Sequence, residues 1–321
     1  MMTHKFINQL EPGETIDDIF MVTQPVLRST TRGDLYIAMF LSDKTGQLNG
    51  RMWQATEAIY NALPQGGFVY IVGRSETYQN NLQIVVNQIR AVEPEKVNIV
   101  DFLPETDKDI DKLYAEVKAM TDKIKNEQIK ALVQAYQQDS ELMDKFKNAP
   151  GGMKIHHNYI GGLLEHTHNM LRVALAILPM YPEVNQDIVI GAIFIHDLGK
   201  TEELAYDTAF SYTDTGQLIG HISLGMMMLN KKAEALAENG RPIEQYILDM
   251  LGHIILSHHG AYEFGSPKLP ATPEAFMVNY IDDLDAKLNQ VTKAIEDDPG
   301  DADWTDWKRA LQTKLYRKRI E

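Results

Sequence analysis

The 321-residue sequence contains no cysteine. That absence excludes a disulfide framework and any thiolate zinc site. A metal in this chain could be held only by His, Asp, Glu or carbonyl oxygen. Long apolar runs are missing too. None approaches the roughly 18–20 residues that span a bilayer, so no membrane partner is expected. The opening MMTHKFINQLEPGE lacks a continuous apolar stretch behind its basic residue. This predicts no secretory signal and a cytoplasmic location. Positive charge is scarce: 31 Lys and Arg face 45 Asp and Glu, for a net −14. A field of that sign opposes the coating of a nucleic-acid duplex, but it leaves room for a local groove. There is no internal repeat and no low-complexity tract.

What is present reads as two domains, an all-β barrel followed by an all-α helical bundle. In the first domain (1–95), β-branched and apolar residues mark strands over 16–26, 35–42, 47–53, 68–77 and 82–92. A short helix over 54–63 ends at Pro64, and Asp43-Lys44-Thr45-Gly46 is a turn signal. Three strands, a helix, then two strands is the element order of an OB-fold, a small barrel that often binds oligonucleotides. This region has six Lys and Arg against eight Asp and Glu in residues 15–95, so the acidic excess lies mostly elsewhere. Candidate nucleic-acid contacts are Tyr36, Arg51, Trp53, Arg74 and Tyr78, which pair basic groups with stacking rings. Residues 96–110 are charged, contain Pro104 and are expected as a linker.

From 111 to 321 the periodicity is helical. Leu113, Val117, Met120 and Ile124 recur on one face. Residues 304–321 carry six Lys and Arg against two Asp and Glu. The expectation there is a last helix with a basic, solvated face, packed through Trp304 and Trp307; a nucleic-acid or phosphate contact is the sharper alternative.

Nine of the ten histidines lie between residues 156 and 259. Phosphodiester hydrolysis at paired metals needs several imidazoles and a carboxylate able to bridge two ions about 3.5–4 Å apart. The sequence offers His166 in LLEHT, His196-Asp197 in FIHDLGK, His221 after a glycine, His258-His259 in SHHG and Asp282 in YIDDLDAK. Adjacent His196 and Asp197 would project about 100° apart on a helix. Both reach one site only near a helix end, and Gly199 supplies that irregularity. Lys200, one turn from His196, could aim a cation into the same site. Each histidine alone would more often be a packed or surface residue; the joint pattern favours metal. His168 and His253 are out of phase and read as structural. His156 and His157 could pack near a helix start or reach a substrate phosphate.

The blocks KIHHNYIGGLLEHT, GAIFIHDLGKTEEL, HHGAYEFGSPKLPATPEA and YIDDLDAK resemble the HD phosphohydrolase superfamily, and more closely the YhaM family of 3′-5′ exoribonucleases. The OB-like segment with LSDKTGQLNGRMW fits the same family. The resemblance implies an HD domain in which His166, His196, Asp197 and Asp282 form the basic metal set. It implies His221, His258 and His259 as further ligands of a two-metal site, and Lys200 as the lysine after the HD aspartate. Asp282 is chosen over Asp283 and Asp285 by its Asp-x-x-Asp-Ala register alone. The glutamate of a three-metal variant is replaced by Gly162, so two ions are expected. The implied cofactor is Mn²⁺, with Mg²⁺ or Fe as alternatives.

The expected activity is 3′-5′ hydrolysis of single-stranded RNA, with single-stranded DNA as a second substrate, to nucleoside 5′-monophosphates. Asp197, Lys200 and His157 are the expected catalytic groups. One alternative is a nucleotide phosphohydrolase or cyclic-nucleotide phosphodiesterase acting on a small substrate. Another is a nucleic-acid-binding barrel joined to a degenerate nucleotide sensor. A homo-oligomer is compatible with all three.

Overall fold

A computed structural model describes residues 4–64, 66–79, 81–153, 157–206, 210–298, 300 and 302–318. The chain divides into two compact units, residues 1–105 with 206–210, and residues 106–205 with 211–321.

The first unit is a closed five-stranded barrel. It contains β1 (Thr15–Ser29), β2 (Leu35–Asp43), β3 (Gly46–Trp53), α1 (Glu57–Asn61), β4 (Gly66–Tyr78) and β5 (Asn81–Val92). The strand order is β1-β2-β3-β5-β4, closing back on β1. All pairings are antiparallel except β3 with β5, where Gly50 faces Ile84. This is the OB-fold, and full closure leaves no free sheet edge. Alternation fills the interior with Ile16, Phe20, Val22, Ile37, Met39, Leu41, Ile71 and Ile84, all buried. Each such side chain contributes about 1.5–3 kcal/mol by leaving water. Gly73 sits at a register shift between β4 and β5, and a Cβ there would collide with the Val85 carbonyl. Phe102 and Leu103, inside the stretch expected as a linker, are buried, and Phe102 packs edge-on against Phe68.

The second unit is helical: α2 (Ile110–Thr121), α3 (Glu127–Gln137), α4 (Ser140–Asn148), α5 (Gly162–Ile177), α6 (Gln186–Ile195), α7 (Lys200–Glu203), α8 (Asp214–Ile219), α9 (His221–Glu238), α10 (Gln245–Ser257) and α11 (Pro273–Glu296). Helix α6 reads IVIGAIFI over 188–195, and every one of those residues is buried. A helix apolar on all sides belongs at the centre of a bundle. Accordingly α3, α5, α10 and α11 all pack on it. Gly191 lets α3 approach, since a Cβ there would lie 2.8 Å from an Ile129 methyl.

The expected C-terminal helix is not formed. Residues 302–318 fold back through a turn at 309–312, with bridges Trp304↔Tyr316 and Lys308↔Thr313. Thr305 and Leu315 turn inward while both tryptophans stay exposed.

Candidate metal centre

The buried helix α6 ends at His196, which caps it, and Asp197 follows outside the helix. Leaving the helix there turns both side chains to one side. Gly199 then passes so close to α9 that a Cβ would collide with the His221 carbonyl. That contact brings His221, the first residue of α9, beside Asp197. His166 arrives from α5, His258 from the end of α10, and Asp282 from α11.

Asp197 stands between two groups of imidazoles. Its Oδ2 lies 3.5 Å from His196 Nε2 and 3.9 Å from His166 Nε2. Its Oδ1 lies 3.5 Å from His258 Nε2 and 3.7 Å from His221 Nε2. Asp282 Oδ1 is 3.2 Å from His166 Nε2. His259 joins the second group: it, His221 and His258 offer ligand atoms all within 4.8 Å of one another.

The far edge of each ring is already bonded. Nδ1 of His196 meets the Ile193 carbonyl at 2.8 Å, His258 the Ile255 carbonyl at 2.8 Å, and His259 the Phe264 carbonyl at 2.9 Å. His221 Nδ1 is 3.0 Å from Glu203, and His166 Nδ1 is 2.7 Å from Asp285. These bonds fix the tautomer and aim the Nε2 lone pairs inward. Meanwhile Nε2 of His196, His221 and His258, and Oδ1 of Asp197, are buried without a hydrogen-bond partner among the described residues. An unmet buried polar atom costs about 1–3 kcal/mol, so four gathered around Asp197 call for another partner. The donor set of imidazole and carboxylate fits divalent metal.

Electrostatics agree. Burial pulls His196 down to about 4, and burial with neighbouring His258 and His221 pulls His259 to about 4, so both rings are neutral ligands. Burial opposes ionisation of Asp197, but Lys200, His196 and His258 hold its carboxyl well below the usual range. His166 is pushed up to about 9; burial opposes this, and its bonds to Asp282 and Asp285 outweigh burial. A cation binding at His166 must therefore displace a proton.

The sequence matches the HD domain family over residues 163–287. The 3′-5′ exoribonuclease YhaM of Bacillus subtilis (strain 168) is 32% identical over 310 residues, covering 96% of each chain. Its counterpart in Geobacillus sp. (strain WCH70) is 32% identical over 322 residues, 98% of this chain and 95% of that one. That of Listeria innocua is 32% identical over 287 residues, covering 89% and 90%. The chain belongs to the YhaM 3′-5′ exoribonuclease family. It is an HD-type exonuclease, a hydrolase with a centre suited to divalent metal.

Two expected groups of this YhaM-family centre have defined partners. Lys200 points into the site at Asp197. Its Nζ donates to Asp197 Oδ2 at 2.6 Å and to the Gly151 carbonyl at 2.7 Å. His157 is bonded within the protein: Nε2 lies 2.7 Å from Asp285 Oδ2 and Nδ1 2.7 Å from Tyr159 Oη. Its φ is +47°, held by bonds from its N–H to Asn289 and to its carbonyl from Gly151. His156 lies outside the described residues. Gly162 has no room for a longer side chain, since a Cβ would collide with the His157 carbonyl. His168 pairs with Glu116 at 2.6 Å and His253 accepts from Ala271 N at 2.9 Å, both away from the cluster.

Asp285 and Glu203 were not singled out by the sequence. Asp285 bridges His157 and His166. Its spacing of three from Asp282 places both carboxylates on one helical face, which was the available signal.

On the barrel, Tyr36 and Trp53 are cross-strand partners with ring centroids 5.0 Å apart. Arg51 lies 5.9 Å over the Tyr36 ring. Arg51 and Arg74 flank Val85 in register on either side of β5, so both share one outer face. Tyr78 stands apart, paired with Asn81 at the tip of the β4–β5 hairpin.

Proposed function

We propose that this chain removes nucleotides from the 3′ end of single-stranded RNA, and also of single-stranded DNA, releasing nucleoside 5′-monophosphates. The observation that carries the reading is Asp197, whose two oxygens face separate imidazole groups. His166, His196, Asp197 and Asp282 would hold one divalent ion. His221, His258, His259 and the other oxygen of Asp197 would hold a second. Mn²⁺ is the favoured ion, with Mg²⁺ or Fe as alternatives. Bound there, the ions would supply Lewis acidity for water activation and neutralise charge on the phosphodiester.

The chain's own residues set the stage. Lys200 fixes the position and ionisation of Asp197. The His157–Asp285 pair orients His166 and takes up its Nδ1 proton bond. Residues 111–321 carry out hydrolysis, and residues 1–95 bind nucleic acid, with 96–110 joining them. The outer face of β2, β3 and β4 is the strand-binding surface, where Tyr36 and Trp53 stack bases while Arg51 and Arg74 meet phosphates; Tyr78 extends it. RNA as substrate is the activity in the relatives' name, brought here by their near-complete coverage.

The test uses 5′-end-labelled single-stranded RNA with Mn²⁺. The expected product is a ladder of shortened, still-labelled species, abolished by Asp197→Ala. Activity surviving in Asp197→Ala would overturn the metal assignment. Intact oligonucleotides beside hydrolysed nucleotides would replace this reading with the small-substrate one.

A further inference from the structure

Beyond α11 the chain builds a feature that none of these roles uses. Asp298 anchors it: Oδ2 accepts from Lys308 Nζ at 2.7 Å and from Asp306 N at 3.2 Å, and Oδ1 pairs with Arg317. The segment folds back on itself through Trp304↔Tyr316 and Lys308↔Thr313, with Thr305 N donating to the Leu315 carbonyl at 2.9 Å. The large rings lie on its outside. Trp304, Trp307 and Tyr316 are 55%, 60% and 49% exposed. The Trp304 and Tyr316 rings lie 5.0 Å apart at 52°. Exposed tryptophans grouped this way mark a contact surface.

The charge around them is the second observation. Residues 302–318 hold five Lys and Arg against two Asp, on a chain of net −14. Lys308 and Arg317 are engaged by Asp298, and Lys318 by Asp303. Arg309 and Lys314 make no ion pair among the described residues. Both lie in the same hairpin as the rings.

We propose that this C-terminal hairpin is a second site for single-stranded nucleic acid. Trp307 and the Trp304–Tyr316 pair stack on unpaired bases, and Arg309 and Lys314 meet backbone phosphates. This rests on the exoribonuclease reading for the identity of the strand. A second copy of the chain fits the face less well, because two-fold contact would set basic hairpin against basic hairpin. From Asp282 to the end of α11 is about 20 Å at the helical rise. That is about six stacked nucleotides at roughly 3.4 Å each. The hairpin therefore holds a strand upstream of the end being hydrolysed.

The test compares an oligonucleotide of about 20 residues with one of about four, on the full chain. In a Trp53→Phe background only Trp304 and Trp307 emit, because the sequence has three tryptophans. In EDTA, the longer RNA is expected to quench this emission. The triple variant Trp307→Ala, Arg309→Gln, Lys314→Gln should raise KM for the long substrate roughly fivefold or more, with kcat unchanged. It should leave hydrolysis of the short one unaltered. An unquenched parent, or an unchanged KM for the long RNA, overturns the proposal. So does a change of oligomeric state in light scattering, which would assign the face to a second copy. Loss of the exoribonuclease reading shows separately, as a parent that degrades neither RNA; the quenching titration needs no turnover and still decides the hairpin.

Discussion

At the scale of single residues, the centre is made by what stands behind its histidines. Each of the five candidate ligands has its Nδ1 bonded, two of them to carboxylates. Asp285→Asn should therefore leave the ligands in place but loosen His166, lowering metal affinity about 10–100-fold. Mn²⁺ titration of activity measures this, and exposed Asp283→Asn is the matched control that should not move. The histidine ligands were legible because ten such residues, nine of them crowded into a third of the chain, stand out. The carboxylates that orient them were not. With 45 Asp and Glu, one more acidic residue carries no signal until the fold shows what it touches. The same holds for Lys200 and His157, whose partners only three-dimensional proximity reveals.

At the scale of elements, α6 and its exit set the geometry. Gly199→Ala should push α9 away from Asp197, since the new methyl meets the His221 carbonyl. The expected cost is roughly 1–3 kcal/mol in stability, together with weakened metal binding, read by thermal melting with and without Mn²⁺. In the barrel, the N-terminal segment is pinned by His4, held 3.0 Å from Asp18 and 3.3 Å from Asp43. Burial opposes charge on His4, but those bonds outweigh it and raise its pKa from 6.5 to about 9. The stabilisation is complete below pH 6.5 and is lost as pH climbs through about 9. The barrel should lose roughly 1 kcal/mol over that window, a few degrees in Tm, followed by scanning calorimetry. His4→Ala should flatten the response. The strands were legible from alternation and turn residues. The C-terminal hairpin was not, because its basic composition suits a helix equally well and its bridges join residues with no regular alternation.

At the scale of the whole molecule, a net charge of −14 repels a polyanion, so binding must depend on few local cations. Affinity for single-stranded RNA should then fall with salt at a slope of about 0.7 per phosphate neutralised, measurable by anisotropy between low and moderate KCl. Stability should also respond to metal. Chelation leaves the centre's buried atoms unmet, and Mn²⁺ at about 100 times its Kd should add about 2.7 kcal/mol. An unchanged Tm in EDTA would count against the centre.

The central position of α6 has a consequence for biosynthesis. Its residues form the core on which the bundle packs, and the chain leaving it presents the aspartate at the heart of the site. The partners of that aspartate are spread from α5 to α11, so they can meet only after α11 has left the ribosome. A nascent chain that has not yet released α11 therefore cannot assemble the centre. Competence to cut arrives together with the completed core.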